Sequence, residues 1–158
     1  MTAAVRRARP EDAAELVRLR REMFQAMKGR DEPGPWEADA RAMLRRQLAD
    51  PGTRTGAFVI DGPGGTLAAC AVGTIEERLP APGHPDGRFG FVFNVCTDPE
   101  HRGRGHARAV TRELLSWFAE QGVTRVDLHA TKDAEQLYRE FGFAEHPIAL
   151  SLDLPAGP

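Results

Sequence analysis

The chain has 158 residues, 41% of them hydrophobic and 28% charged, and carries a formal net charge of −2 at pH 7. That length suits a single domain, 1–158, with one adequate core, and that charge excludes a general binder of nucleic acid or of anionic membranes. Two cysteines exclude a disulfide framework, no apolar stretch is long enough for a membrane span, and Met-Thr-Ala-Ala-Val-Arg at the N-terminus lacks the apolar core of a signal peptide, so a cytoplasmic protein is expected.

In chain order, Ala3 to Ala8 reads as a strand. Pro10 opens a helix whose Leu16, Leu19, Met23 and Met27 recur at helical spacing. Gly29 to Pro35 breaks it. A second helix runs from about Trp36 to Ala49, with Ala40, Met43, Leu44 and Leu48 on one face, and Pro51-Gly52 stops it. Thr55 to Asp61 and Thr66 to about Glu77 are strands, joined by Gly62-Pro-Gly-Gly65, which has hairpin chemistry. Leu79 to Arg88 is a Pro- and Gly-rich loop. Phe89 to Thr97 is a strand, and Gly105 to Gln121 a helix with Ala107, Val110, Leu114, Trp117 and Phe118 inward. Arg125 to Ala130 is a strand, Asp133 to Phe141 a short helix, and Phe143 to Leu154 a last strand interrupted near Pro147. Cys70 and Cys96 each sit in an apolar run and read as buried free thiols.

This order predicts an α/β fold. The unit from Phe89 to Ala130 demands parallel pairing with a right-handed crossover, whereas the Thr55 to Glu77 hairpin is antiparallel. A mixed central sheet with helices on both faces follows.

Val95 to Arg108 is the most informative segment. Gly103 and Gly105 let backbone approach a ligand closely. The first turn of the following helix offers unpaired N–H groups and the positive end of a dipole, a cradle for phosphate. Arg102, Arg104 and Arg108 add charge, with no acid from His101 to Arg112. A Walker A loop needs Gly-Lys-Ser/Thr, which is absent, and a dinucleotide fingerprint fails at Arg108. Taken alone, the turn could equally be a tight strand-to-helix connection.

The pattern present is Arg102-x-x-Gly105-x-Ala107, which resembles the pyrophosphate motif of the GNAT superfamily of acyl-CoA-dependent N-acyltransferases. Ala134-Glu-Gln-Leu-Tyr138-Arg-Glu-Phe-Gly142-Phe143 resembles that family's later motif. The resemblance extends from about Phe89 to Phe143. It implies a single GNAT-like domain with splayed parallel strands forming a cofactor cleft. It implies acetyl-CoA as co-substrate, held by Val95, Cys96 and Thr97 and by Arg102, Gly103, Arg104, Gly105, His106, Ala107 and Arg108. Thr131 stands seven residues before Tyr138, where many members carry an Asn that meets the cofactor.

Acyl transfer to an amine requires a proton for the leaving thiolate, and the resemblance gives that role to Tyr138. By spacing alone, Tyr138 could belong to an apolar helix stripe with Ala134, Leu137 and Phe141. The acceptor must also lose a proton. A lysine-like amine of pKa about 10.4 is neutral in only about one molecule per thousand near pH 7. Glu76, Glu77 and Glu22 are candidate bases, and Asn94, where the family's strand bulges, is a candidate substrate contact. Each acid could equally be a solvated surface charge. His101 and His106 lie beside arginines, a poor place for a cation, so no metal is expected. With no Ser-centred nucleophile motif, direct attack on the thioester is expected. The expected acceptor is a small-molecule or peptide amine. Alternatives are a longer acyl-CoA donor or a non-catalytic acyl-CoA sensor. Family habit allows a homodimer, for which the sequence carries no interface signal.

Overall fold

A computed structural model describes residues 3–146 and 150–156. Its elements are β1 (Arg6–Arg7), α1 (Ala13–Lys28), α2 (Trp36–Ala49), β2 (Thr55–Asp61), β3 (Leu67–Glu77), β4 (Arg88–Thr97), α3 (His106–Glu120), β5 (Arg125–Leu128) and α4 (Glu135–Glu140). The five strands form one sheet in sequence order. β1 to β4 pair antiparallel, and β4 pairs with β5 in parallel. This is the mixed α/β sheet that the sequence predicts. Among the described residues, no helix is long and apolar enough to cross a membrane.

Alternation along the strands divides the interior into two layers. Phe58 and Ile60 of β2, Ala69, Ala71 and Ile75 of β3 and Val92 of β4 pack against Val110, Leu114, Trp117 and Phe118 of α3. Ala57, Val59, Cys70, Val72 and Cys96 face the opposite way, against Leu16 and Leu19 of α1 and partly buried Leu44 and Leu48 of α2. Helices therefore cover both faces.

Three glycines let α3 settle onto the sheet. A Cβ at Gly56 would stand 2.5 Å from the Trp117 ring, and one at Gly73 or Gly90 would stand 2.8 or 2.9 Å from Phe118. Gly56 and Gly73 are direct cross-strand partners. The pair of large rings occupies a trough of missing side chains across β2, β3 and β4.

β4 also carries a bulge. Val72 pairs with Asn94, but Gly73 pairs with Val92, which leaves Phe93 without an opposite residue. A bulge adds one residue and bends its strand. Before it, Gly90 and Val92 face α3; after it, Asn94 and Cys96 face α1.

Several sequence expectations need correction. The first strand is only Arg6–Arg7, because this edge pairs over two residues, although Ala8 still donates to the Ala57 carbonyl at 2.9 Å. Met27 and Met43 are exposed rather than inward, and α2 has no fully buried residue. β5 stops at Leu128, where its pairing with β4 ends. Of the expected strand Phe143 to Leu154, residues 143–146 and 150–154 carry no strand, and 147–149 lie outside the described residues. Leu150, Leu152 and Leu154 alternate as a strand would, yet are 78–90% exposed, so no described residue covers their apolar side.

Candidate active site

β4 and β5 stay paired only from Phe89↔Arg125 to Val92↔Leu128. Beyond that point β4 continues to Thr97 with no partner on this edge among the described residues. A cleft of about 790 Å³ opens there. α1 contributes Met23, Phe24 and Met27 to its walls; β4 contributes Phe91 to Thr97; and α4 contributes Leu137 and Tyr138. Backbone N–H and C=O groups on an unpaired strand edge are free to pair with an extended ligand.

The floor is the turn from Arg102 to Arg108. Asp98, just past β4, accepts from the Glu100 amide at 2.9 Å and fixes the entry to this turn. Gly103 and Gly105 both have φ of +77°, in the left-handed region. A Cβ at either would meet nothing within 4 Å. Their backbone angle therefore requires glycine, and the space before them is open. Gly105 is the N-cap of α3, and no side chain caps the helix. The first-turn amides of His106, Ala107 and Arg108 thus lack a capping acceptor where those residues border the cleft.

The arginines differ from expectation. Arg102 and Arg108 border the cleft and Arg104 does not. Arg108 pairs with Glu140 of α4, so the turn is not unopposed by acid. The acid comes from tertiary contact, which a count along His101 to Arg112 does not see. His106 is pushed below the ordinary histidine value, first by burial and then by Arg104 and His101.

Tyr138 is 8% exposed and borders the cleft. Its ring meets Phe143 edge-on at 5.8 Å. Its hydroxyl makes no hydrogen bond to protein among the described residues, and the residue lines the cleft. Burial pushes its pKa up to about 12. The ring is therefore packed as the stripe requires, while the hydroxyl stays protonated.

The Acetyltransferase (GNAT) family model matches residues 13–143. The chain belongs to this family. It is 32% identical to the N-alpha-acetyltransferase RimI of Mycobacterium tuberculosis over 134 residues, 84% of this chain and 72% of that one. It is 31% identical to the mycothiol acetyltransferase of Thermobispora bispora over 120 residues, covering 74% of this chain but only 39% of that longer protein. The fold matches a predicted acetyltransferase with acetyl-CoA from Clostridium acetobutylicum at TM-score 0.81 and 21% identity, over 96% of each chain. A GCN5-related N-acetyltransferase from Ralstonia eutropha matches at TM-score 0.78 and 26% identity, over 95% of this chain and 97% of that one.

In this GNAT chain, Val95, Cys96, Thr97, Arg102, Gly103, Gly105, His106, Ala107, Arg108 and Thr131 all border the cleft, as does Asn94. Glu76 and Glu77 do not. They pair with Phe89 and Arg88 at the start of β4, away from the open end, and are held by Arg78 and by Arg54 and Arg88. Strand alternation alone could not reveal which end of the hairpin meets the cleft. Glu22, half-buried on α1, is likewise not among the residues that line the cleft; it lies one residue before Met23, which does.

Both cysteines are free and buried, as their apolar setting predicts. They are direct cross-strand partners. Cys96 reaches the cleft, but burial pushes its thiol up to about 11, so it is not a ready nucleophile. Sequence reasoning missed the α1 wall. Met23 and Met27 fit a helical core stripe, and only the divergence of β4 and β5 turns them toward open space. Among the described residues, no three His, Cys, Asp or Glu side chains form a metal group.

Proposed function

We propose that this protein transfers an acetyl group from acetyl-CoA to a primary amine of a small molecule or peptide by direct attack. The observation that carries this reading is the meeting, in one cleft, of the uncapped α3 turn and the protonated Tyr138 hydroxyl. The glycine turn, the unpaired β4 edge and the arginine-flanked floor fit an extended molecule that ends in a pyrophosphate.

Bound acetyl-CoA supplies the activated acetyl group and a thiolate leaving group. The amides of the α3 first turn hold the pyrophosphate, helped by the helix dipole and by Arg102. Val95, Cys96 and Thr97 offer backbone groups to the pantetheine arm, and Thr131 offers a hydroxyl that can donate or accept. Tyr138 gives a proton to the departing sulfur. Glu22, which makes no ion pair among the described residues, takes the proton from the amine through water, since Glu76 and Glu77 are engaged elsewhere. Asn94 lines the acceptor side of the cleft.

The test is CoA release from acetyl-CoA over a broad amine panel, alongside calorimetric binding of acetyl-CoA and of longer acyl-CoAs. Binding without turnover on any amine would favour an acyl-CoA sensor. Tighter binding and faster transfer with a longer chain would reassign the donor.

A further inference from the structure

α1 carries three arginines whose surroundings differ. Arg18 is held by Glu15 and Asp98, and Arg21 by Asp31 and Glu37. Arg20 has no carboxylate partner among the described residues. Its Nη1 donates to Asn94 Oδ1 at 3.2 Å. Its guanidinium carbon lies 4.7 Å from the centre of the Phe24 ring and 5.6 Å from that of Phe93.

None of these partners neutralises the charge. Aromatic faces attract a cation but carry no net charge. Asn94 is 2% exposed, and its amide nitrogen donates to Cys70 Sγ at 3.4 Å, which turns its oxygen toward Arg20. Burial raises the Cys70 thiol far above neutrality, so it supplies no thiolate. Arg20 is itself half-buried, and burial works against its charge. A guanidinium presents five N–H donors in a flat fork that matches a carboxylate. Here one hydrogen bond is made among the described residues.

The place is as telling as the vacancy of charge. Phe24, Phe93 and Asn94 all border the cleft, on the wall made by α1 and β4; half-buried Arg20 is not itself a lining residue and meets the edge of the cleft through these three contacts. Met23 and Met27 make the same wall apolar. The acids of the neighbouring loop are already engaged: Asp31 and Glu37 by Arg21, and Glu32 by Lys28 and Arg30. They do not create an anionic mouth for a polycation.

We propose that Arg20, held by Asn94 between Phe24 and Phe93, is a carboxylate-binding subsite, and that the acceptor is an amine whose apolar body also carries a carboxylate. This rests on the acetyltransferase reading above and names the substrate class of the same cleft. The carboxylate of the acceptor docks on the guanidinium fork, its apolar body lies against the methionines and phenylalanines of the wall, and the amine is left free for attack.

Matched amines test this. L-phenylalanine, L-leucine, L-methionine and 6-aminohexanoate are compared with phenethylamine, isoamylamine, 3-(methylthio)propylamine and pentylamine. CoA release is measured for each, and calorimetry with CoA bound measures affinity without turnover. The carboxylate member of at least one pair is expected to be preferred about 10–100-fold in kcat/KM, mainly through KM. Arg20→Gln should shrink that ratio toward one, and Arg20→Lys should restore part of it. The ratio is taken within one preparation, so partial misfolding of a variant cancels. Equal use of both members, preference for the decarboxylated member, or a preference that survives Arg20→Gln overturns the subsite. So does a panel in which no carboxylate member binds or reacts while acetyl-CoA still binds. Loss of acetyl-CoA binding by the unaltered protein would instead refute the acetyltransferase reading.

Discussion

Arg18 of α1 donates to Asp98 at 2.7 Å across 80 residues of chain, joining the first helix to the residue that leads into the glycine turn. The same guanidinium binds both oxygens of Glu15, one of which also accepts from the Leu67 amide at 2.8 Å. One side chain thus ties α1, the start of β3 and the end of β4 together.

Asp98→Asn should therefore cost about 1 kcal/mol of stability, since both side chains keep some contact with water. The Glu100 amide and Arg18 hold the Asp98 carboxyl below its ordinary range. The stabilisation is then complete above the unfolded carboxyl pKa of about 3.9 and is lost as pH falls through the lower folded value. Urea unfolding from pH 7 down to pH 3 should show the gap between the two proteins narrow once the pH falls below about 4. A gap of constant size would assign it to something other than the charge.

Gly105→Glu should abolish acetyl-CoA binding. It places a side chain with negative charge in the open space before the α3 amides and asks a non-glycine residue to hold φ of +77°. The strain should cost only about 1–2 kcal/mol, so the variant should fold. Calorimetry on the folded variant decides; unchanged affinity would move the pyrophosphate elsewhere.

Tyr138→Phe should lower turnover by roughly 10²–10⁴ if proton donation is lost, with little change in cofactor affinity. Its hydroxyl has no protein partner among the described residues, so melting should barely shift. With a pKa near 12, Tyr138 remains a donor throughout the usual assay range. An alkaline fall in rate at pH 9–10 must then come from another group. Wild-type turnover in the variant, with chemistry limiting, removes Tyr138 from the mechanism.

Glu22→Gln should slow the reaction most at low pH, where the amine is most fully protonated, while Glu76→Gln and Glu77→Gln should leave the pH–rate profile unchanged. A profile that responds to Glu76→Gln but not to Glu22→Gln would reverse the assignment.

Gly73→Ala should destabilise the protein by about 1–3 kcal/mol through overpacking, because the added methyl would stand 2.8 Å from Phe118 and from the Phe91 carbonyl. Gly103→Ala, in open space, should lose only what its backbone angle costs. Thermal unfolding of the two variants separates crowding from conformation.

Local order explains what could be read from the sequence. The glycine turn and the Leu137-Tyr138 to Gly142-Phe143 block are contiguous motifs, and the strands and helices around them follow from periodicity. The Gly56–Gly73–Gly90 trough, the Arg108–Glu140 pair and the setting of Arg20 each join segments far apart in the chain, and no window of sequence contains them. Glu76 and Glu77 misled because strand alternation specifies a face but not an end. The Phe143 to Leu154 pattern misled because alternation needs a partner surface before it makes a strand.

The Phe93 bulge lies one residue past the last β4–β5 pair. The active-site opening is thus bound up with a residue count. A deletion of Phe93 would remove no proposed proton donor or acceptor and no part of the phosphate turn, yet it would let β4 run straight beside β5 and take away one face of the Arg20 cage. The width of the cleft therefore depends on how many residues the strand holds as well as on which residues they are.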